Sequence, residues 1–393
     1  MHGHVAIVGG GVIGLAIADA ILQSRGDARV VVLDKEATLA VHASGRNSGV
    51  IHAGFYYSPD SLKARLTRRG NVLMHQFCEE RGITVRRTGK VVVATDESQL
   101  TALDELHRRA LANGVPTELI DEQRLRELEP LALTVDRALW SPTTSVAAPE
   151  RVVEGLAARV RERGGQVRLQ SPVTAGGIGL LTVNGDKLKA GHIINAAGLH
   201  ADRVARWFGM CDDYAMLPFI GLYWYGNWRP GRLQRHVYPV PDARNPFLGV
   251  HATVTVDGRV KIGPTAIPGM FREGASARDF ADIAKAYPRF IRSRHHDVPA
   301  LLASEFPKLS RRALVRQAQR LVPSICEQDF REKGRPGVRA QLLHLESRRL
   351  EMDFVLRGDE HSTHMLNAVS PGWTSSLALA EYVVADMGSR GVL

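Results

Sequence analysis

The sequence predicts an α/β protein in which a parallel sheet flanked by helices is interrupted by a second, β-rich region. A strand, a glycine-rich turn, a helix and another strand follow one another within the first 34 residues. Strands and helices alternate at both ends of the chain, whereas residues 214–267 contain mostly strands. A length of 393 residues is enough for two or three domains.

The N-terminal unit carries a phosphate-binding pattern. The apolar run Val5–Val8 is typical of a buried parallel strand, and Gly9, Gly11 and Gly14 follow it before a helix predicted over residues 15–23. The second predicted strand ends at Asp34, 20 residues beyond the last glycine. In this context glycines let the backbone approach a pyrophosphate at the helix N-terminus, and the acid binds a ribose. The pattern predicts a dinucleotide site but does not separate NAD from FAD.

Two further stretches combine small residues with hydrogen-bond donors. Residues 42–54 place Arg46, Asn47, Ser48 and His52 among glycines, so this backbone can approach a flat ligand. Residues 193–202 form a predicted buried strand that ends in Ala196-Ala197-Gly198 before a helix. A purely structural loop and an ordinary strand-to-helix junction are the alternatives for these two stretches.

The remaining elements follow from hydrophobic periodicity. Helices are expected at residues 61–81, 97–112, 150–164, 277–322 and 376–387. Strands are expected at residues 90–95, 166–169, 191–197, 341–356 and 364–369, besides those of the β-rich region.

Composition narrows the class of protein. The three cysteines are far apart, which argues against a disulfide framework or a cysteine zinc site and fits a reducing, cytoplasmic compartment. The apolar stretch 5–22 is as long as a membrane span, but four glycines and Asp19 interrupt it, so we expect no spanning helix. The formal net charge of +10 allows an anionic partner without choosing one.

Beyond the glycine turn, several motifs resemble a known family. The chain is similar to the FAD-dependent D-amino-acid-oxidase superfamily, and most of all to its L-2-hydroxyglutarate oxidase/dehydrogenase group. The resemblance rests on residues 46–57, 61–65, 238–241, 247–251, 337–341 and 367–379.

The resemblance implies a glutathione-reductase-like, Rossmann-type FAD-binding domain with an inserted α+β substrate domain whose sheet is mostly antiparallel. The FAD domain would comprise residues 1–85, 146–213 and 336–393, and the substrate domain residues 86–145 and 214–335. It also implies that FAD is the cofactor. The expected FAD contacts are Gly9, Gly11, Gly14, Asp34, Arg46, Asn47, Ser48, Ala197, Gly198, Thr374 and Ser375.

The resemblance further implies a site for a small anionic substrate. Arg339 is where relatives place a carboxylate-binding arginine, and its planar fork suits that task. His52 and His251 are both candidates for the base that removes a hydroxyl proton, and His52 is alternatively a covalent tether for the flavin. Thr374 and Ser375 precede the last helix, where they are either flavin contacts or a plain helix cap. No ligand spacing predicts a metal.

The leading hypothesis is FAD-dependent oxidation of a small 2-hydroxy acid resembling L-2-hydroxyglutarate. The alternative is oxidation of an amine or amino acid. The electron acceptor would be O2 or a quinone, and the basic stretch 277–320 allows peripheral contact with the inner membrane face. Aromatic residues are sparse in that stretch, which argues against nucleic-acid binding.

Overall fold

The computed structural model describes residues 4–242, 245–274 and 276–393. The described helices are α1 (Val12–Ser24), α2 (Leu62–Glu80), α3 (Leu100–Ala112), α4 (Glu122–Leu128), α5 (Pro149–Glu162), α6 (Ala201–Arg206), α7 (Ala277–Ile291), α8 (Val298–Glu305), α9 (Arg311–Gln319) and α10 (Gly372–Ser389). The described strands are β1 (Val5–Val8), β2 (Val30–Leu33), β3 (Val50–Ile51), β4 (Val85–Arg86), β5 (Lys90–Val93), β6 (Glu118–Asp121), β7 (Arg137–Ser141), β8 (Ser145–Ala147), β9 (Gln166–Arg168), β10 (Val173–Gly177), β11 (Leu180–Val183), β12 (Asp186–Lys189), β13 (His192–Asn195), β14 (Tyr214–Gly221), β15 (Trp224–Tyr225), β16 (His236–Pro239), β17 (His251–Val254), β18 (Val260–Gly263), β19 (Ile267–Pro268), β20 (Glu332–Lys333), β21 (Gly337–His344), β22 (Leu356–Gly358) and β23 (Ser362–Met365).

A six-stranded sheet in the order β22-β23-β13-β1-β2-β9 forms the centre of one half of the molecule. Its pairings are parallel except for the antiparallel edge strand β22. β1 and β2 consist entirely of buried Val, Ile, Leu and Ala side chains, as expected of strands covered on both faces. Helices α1, α5 and α10 cover one face, and α6 with the small sheet β10-β11-β12 covers the other. The predicted α/β class is therefore confirmed.

The register of this sheet brings several strand ends to one level. Val8, the last residue of β1, pairs with Leu33 of β2 and with Asn195 of β13. Asn195 in turn pairs with His364 of β23. Because all four strands run in the same direction, the turns that follow them meet along one edge of the sheet. A crevice at that edge is where open α/β sheets bind ligands.

The glycine turn after β1 is packed too closely for side chains. Gly9 has a φ of 109°, and a Cβ there would lie 2.4 Å from the carbonyl oxygen of Ala196. A Cβ on Gly14 would lie 2.0 Å from the carbonyl oxygen of Gly9. The first glycine therefore allows the left-handed turn, and the last allows α1 to pack against it.

An eight-stranded sheet in the order β20-β15-β18-β17-β16-β5-β7-β6 forms the centre of the second half. Its pairings are antiparallel except for β5 with β16, which confirms the expected mostly antiparallel sheet. A smaller antiparallel sheet, β19-β14-β21, carries Arg339 opposite Phe219. The predicted boundaries at residues 85, 145, 213 and 335 stay a prediction.

Several element limits differ from the sequence prediction. The predicted strand 341–356 is wrong: β21 covers only Gly337–His344, and the chain then reverses through Arg348, whose φ is 58°. The predicted strand 364–369 lies earlier, at Ser362–Met365. Helices α1 and α10 each begin before the predicted start, because their first turns contain Gly, Ser and Thr that periodicity does not mark as helical. Within the described residues, no helix has the length and apolar character needed to cross a bilayer.

The close packing of Gly14 leads to a test of the turn. We expect Gly14→Ala to lower the free energy of unfolding by at least about 2 kcal/mol, because the new methyl group meets a backbone oxygen that cannot rotate away. The measurement is chemical denaturation followed by circular dichroism. The matched control is Gly26→Ala, where nothing lies within 4 Å of the added Cβ. Equal free energies of unfolding for the two variants would contradict the packing argument.

Candidate active site

A cavity of about 640 Å³ opens along the edge where the parallel strands end. It runs from the turn after β2, past the glycine turn, to residues of β14, β21 and the start of α10. Of the residues that the sequence predicts for the site, those that line it are Gly9, Gly11, Asp34, Arg46, Asn47, Ser48, His52, Ala197, Gly198, Arg339 and Thr374. Gly14, His251 and Ser375 are not among its lining residues.

Free backbone donors mark the start of α1. The amide of Val12 donates to the hydroxyl oxygen of Ser44 at 3.0 Å, and that of Gly10 donates to Oδ2 of Asp34 at 2.8 Å. Within the described part of the chain, the amides of Gly11 and Ile13 have no acceptor. Unpaired N–H groups at a helix N-terminus suit a phosphate. Ser44 was missed in the sequence because its contact with α1 bridges 32 residues.

The carboxylate of Asp34 connects two backbone segments. Besides Gly10, it accepts a hydrogen bond from the amide of Glu36 at 2.9 Å through Oδ1. Since a carboxylate offers about four lone-pair directions, these two bonds leave room for a further donor such as a ribose hydroxyl.

The predicted flavin loop uses most of its side chains to fold itself. The Asn47 amide donates to the carbonyls of Ala43 and Ser44, and its oxygen accepts from the amide of Gly49. The hydroxyl of Ser48 accepts from the amide of Val50. Arg46 donates to the carbonyl of Pro336 at 3.4 Å. The loop is therefore held rigidly, and its backbone lines the cavity.

The start of α10 reaches the same cavity. Thr374 accepts a hydrogen bond from the His52 amide and donates one to the Val50 carbonyl, both at 3.1 Å. The hydroxyl of Ser375 lies 3.2 Å from that of Thr67, away from the cavity. No acceptor within the described residues receives the amides of Trp373 and Thr374. A second helix N-terminus with free donors thus faces the site.

A turn of small residues follows β13 and lies next to the glycine turn. Ala197 and Gly198 follow β13, and the Ala197 amide donates to Oδ1 of Asn195 at 3.2 Å. This bond closes the chain tightly after the strand, so the backbone at Ala196 can contact Gly9.

His52 is a neutral histidine at the inner end of the cavity. Its ring is partly exposed to the cavity, while its Nδ1 is buried and has no hydrogen-bond partner within the described residues. Burial lowers the pKa of His52 well below its usual value, and the nearby positive charge of Lys90 lowers it further. A neutral ring in this position is able to accept a proton.

His251 is the first residue of β17 in the eight-stranded sheet, and it is more deeply buried than His52. It stacks on Tyr238 with ring centroids 3.7 Å apart, and its Nδ1 lies 2.9 Å from the carbonyl of Gly249. Burial lowers its pKa to about 3. His251 is thus a packed, partnered histidine, and its position favours His52 as the base.

Arg339 supplies a cation to the cavity. It is partly buried, its guanidinium carbon lies 5.2 Å from the centre of the Phe247 ring, and no carboxylate or carbonyl within the described residues pairs with it. Its nearest titratable groups include Tyr57 and Tyr223, and burial raises the pKa of both so that they stay neutral. An unpaired guanidinium beside a cavity is suited to a carboxylate ligand.

Three buried lysines near the Arg339 end of the cavity were not predicted from the sequence. Lys90 is fully buried, with its Nζ 4.3 Å, 4.8 Å and 5.2 Å from the ring centres of Tyr238, Tyr56 and Phe55. Lys261 donates to the carbonyl of Asn47 at 3.3 Å, and Lys63 lies in the first turn of α2. A signal for Lys261 was present: polar residues alternate with apolar ones along β16, β17 and β18, so one sheet face is polar.

The opposite end of the cavity carries an ionic cluster. Glu36, His42 and Glu273 have ligand atoms within 4.8 Å of one another. The Lys35 ammonium lies 2.5 Å from a carboxylate oxygen of Glu36 and 2.5 Å from one of Glu273, so it offsets one of their two negative charges. The expectation of no metal stays a prediction. The cluster joins the turn after β2 to the segment before α7.

Fold and cavity together define a dinucleotide-dependent oxidoreductase, and comparison with known proteins specifies its kind. The FAD dependent oxidoreductase (DAO) family matches residues 4–386. The chain is 36% identical to L-2-hydroxyglutarate dehydrogenase of Indibacter alkaliphilus, over 96% of this chain and 97% of that protein. It is 32% identical to the mitochondrial L-2-hydroxyglutarate dehydrogenase of Homo sapiens, over 98% and 89% of the two chains.

Among solved structures, dithionite-reduced L-α-glycerophosphate oxidase from Mycoplasma pneumoniae with FAD bound has a TM-score of 0.79. It shares 23% identity, and the match covers 98% of this chain and 94% of that one. The chain therefore belongs to the FAD dependent oxidoreductases of the DAO family, and its cofactor is FAD. The resemblance drawn from the sequence motifs is confirmed.

The environment of His52 predicts its protonation state. We expect the ring to stay neutral at pH 6.5 and to gain a proton only at lower pH, because burial and neighbouring positive charge disfavour the cation. Selective ¹⁵N labelling of histidine, with His52→Gln to assign the signal, measures the titration by NMR. A midpoint at or above pH 6.5 would show that the ring is not desolvated as described.

Proposed function

We propose that this protein oxidises a small 2-hydroxy acid of the L-2-hydroxyglutarate class to the 2-oxo acid. One observation supports this most directly: Arg339, a cation that no described residue pairs with, and His52, a neutral base, line the same cavity as the glycine turn. A 2-hydroxy acid presents a carboxylate for the first and a hydroxyl proton for the second. The names of the full-length relatives agree with this substrate class.

The residues present fit FAD along the whole cavity. The free amides at the start of α1 would hold the pyrophosphate, and Asp34 would hold the adenosine ribose. The free amides of Trp373 and Thr374 at the start of α10 would stabilise negative charge on the flavin ring. The loop from Arg46 to His52 would lie along the ring, with its side chains engaged in holding the backbone.

The chemistry divides between cofactor and protein. When bound, FAD accepts a hydride from the substrate carbon that carries the hydroxyl. His52 takes the hydroxyl proton as the carbon–oxygen double bond forms, so that the substrate loses two electrons and two protons in total. Arg339 binds the adjacent carboxylate through two parallel hydrogen bonds and fixes the substrate carbon. The substrate's negative charge near His52 also favours the protonated ring that this step produces.

The alternative substrate is an amine or amino acid, which has the same carboxylate for Arg339. His52 then takes a proton from the amine instead of the hydroxyl. Members of this fold class with such names are known, including glycine oxidase from Geobacillus kaustophilus. At 21% identity this likeness concerns the fold alone.

Anaerobic reduction of the flavin tests the proposal. We expect L-2-hydroxyglutarate to bleach the flavin absorbance and glycine and sarcosine not to. We expect Arg339→Lys to retain FAD but to lower kcat/KM by about 10- to 100-fold, mainly through KM, because a lysine cannot form the paired bonds.

The control is Arg335→Lys, an exposed arginine four residues earlier, which should leave kinetics within about twofold. If glycine or sarcosine bleaches the flavin and L-2-hydroxyglutarate does not, the substrate is an amine or amino acid and the proposed substrate class is wrong. Unchanged kinetics in Arg339→Lys would remove Arg339 from the substrate site.

We also propose peripheral contact with anionic lipid at the inner membrane face, with a quinone as electron acceptor. The outer side of α7 exposes Phe280 (49%) and Ile291 (53%). The exposed basic residues beside them are Arg278, Lys285, Arg289 and Arg292. Apolar side chains flanked by Lys and Arg are typical of helices that bind in the plane of an acidic bilayer surface.

Sedimentation with lipid vesicles tests this contact. We expect the protein to sediment with vesicles containing phosphatidylglycerol and not with pure phosphatidylcholine, because the basic residues need an anionic surface. Phe280→Ser with Ile291→Ser should abolish sedimentation. Leu111→Ser, at an equally exposed leucine on α3, is the control. Equal sedimentation of the double variant and the control would show that α7 does not contact the lipid.

A further inference from the structure

Within the described part of the chain, nothing forms a hydrogen bond with the buried Nδ1 of His52, the base proposed above. A catalytic imidazole is usually oriented by a carboxylate or a carbonyl on the nitrogen that does not take the proton. Since Nδ1 of His52 has no such partner there, the position of its ring depends on how firmly its backbone is held.

Two buried side chains from different helices hold the backbone of His52. Its amide donates to the hydroxyl of Thr374 in α10 at 3.1 Å. Its carbonyl accepts a hydrogen bond from Nδ2 of Asn71 in α2, also at 3.1 Å. Because both side chains are buried, the His52 backbone cannot rotate without leaving a buried polar group unpaired, which is costly.

Asn71 acts where a pair of strands ends. β3 and β8 pair in the antiparallel sense as far as Ile51, which lies opposite Ser145. Beyond that point the Asn71 amide donates to the carbonyl of His52 and to that of Thr143, which precedes β8, both at 3.1 Å. One side chain thus continues the connection between the two strands and fixes the chain that follows β3.

The two helices that hold His52 also contact each other closely. A Cβ on Gly70, the residue before Asn71, would lie 2.4 Å from the carbonyl oxygen of Thr374, so the backbones of α2 and α10 touch. One turn earlier in α2, the hydroxyl of Thr67 lies 3.2 Å from that of Ser375. The contact therefore fixes His52 relative to the N-terminus of α10, the end of that helix which would face the flavin.

We propose that Asn71 is a positioning residue for the oxidation, because it holds the His52 backbone so that the ring meets the substrate hydroxyl while the hydride leaves the same carbon. This rests on the proposed function, in which His52 takes the hydroxyl proton. Asn71 does not line the cavity, so it acts through His52 and not on the substrate. Precise placement matters here, since a misplacement of about 1 Å can cost roughly 100-fold in rate.

A double-mutant cycle tests this role. We expect Asn71→Ala to keep FAD bound and to slow the anaerobic reduction of the flavin by saturating L-2-hydroxyglutarate about 10- to 100-fold. In a His52→Gln protein the same change should slow reduction by no more than about twofold, because no base is left to position. An unchanged rate in Asn71→Ala, or equal slowing in both backgrounds, would overturn the proposal.

Asn113→Ala is the matched control. Asn113 is similarly buried, and its Nδ2 donates to two carbonyls of the segment after β3, those of Gly54 at 3.1 Å and Tyr57 at 3.0 Å. This change also removes hydrogen bonds from that segment, but none from the His52 backbone. Flavin reduction should therefore stay within about threefold of the unmodified rate. Slowing equal to that in Asn71→Ala would mean that general loosening of the segment sets the rate, and the proposal would be wrong.

Hydrogen exchange in the unmodified holoenzyme covers the case in which Asn71→Ala does not fold. We expect the His52 backbone amide and the Nδ2 protons of Asn71 to exchange as slowly as the amides of β1, because both bond buried acceptors. Exchange as fast as that of an exposed turn would overturn the proposal. This measurement needs no turnover. Failure of the proposed oxidation, seen as no bleaching by any 2-hydroxy acid, is therefore distinguishable from failure of Asn71 to hold His52.

Discussion

The in-register parallel pairing of β1 with β2 and β13 is the constraint on which the site depends. Val8, Leu33 and Asn195 lie side by side, so the glycine turn, Asp34 and the Ala196–Gly198 turn all begin at one level. A shift of one residue would turn every side chain of a strand to the other face. It would also separate Asp34 from the Gly10 amide and Gly9 from Ala196. Burial of both faces of β1 and β2 makes that shift costly.

The acidic groups around the cavity have protein partners, whereas several of the positive groups do not. The acidic groups near it are bound to other partners: Asp34 and Asp353 accept backbone amides, and Glu305 pairs with Lys308 and accepts the Ala266 amide. Among the described residues, no carboxylate pairs with two of the helix N-termini or with several of the basic side chains. Because unpaired buried cations lower the stability of a folded protein, this arrangement makes physical sense where anions bind. FAD carries a pyrophosphate, and a 2-hydroxy acid carries at least one carboxylate.

The parts of the fold that sequence predicts well are those whose requirements are local. The glycine spacing, the acid after the second strand and the buried strands follow from contacts between residues close in the chain, and the parallel sheet confirms them. The early start of α10 was missed because small polar residues satisfy more than one local conformation. The reversal at Arg348 was missed because no glycine or asparagine marks the position that adopts a φ of 58°. The predicted site residues Asn47, Ser48 and Thr374 lie at the cavity, but their side chains hold backbone, which composition alone does not reveal.

The lysines show why the rest of the site was not predicted. Lys63, Lys90 and Lys261 come from α2, β5 and β18, and only tertiary packing brings them near His52 or Arg339. A compositional signal existed nevertheless. The chain has only nine lysines beside 42 arginines, and four of the nine are buried. Where arginine supplies nearly all the positive charge, each lysine is a candidate for a position at which a compact ammonium is needed.

The hydroxyl of Thr374 joins residues separated by more than 320 positions in the chain, because it bonds both Val50 and the His52 backbone. β23 and α10 likewise come from the last part of the chain, yet they lie next to strands formed by its first part. During synthesis the N-terminal segments leave the ribosome long before these partners exist. The cofactor site can therefore be completed only after α10 has been synthesised, and one face of β1 and β2 lacks part of its apolar cover until then.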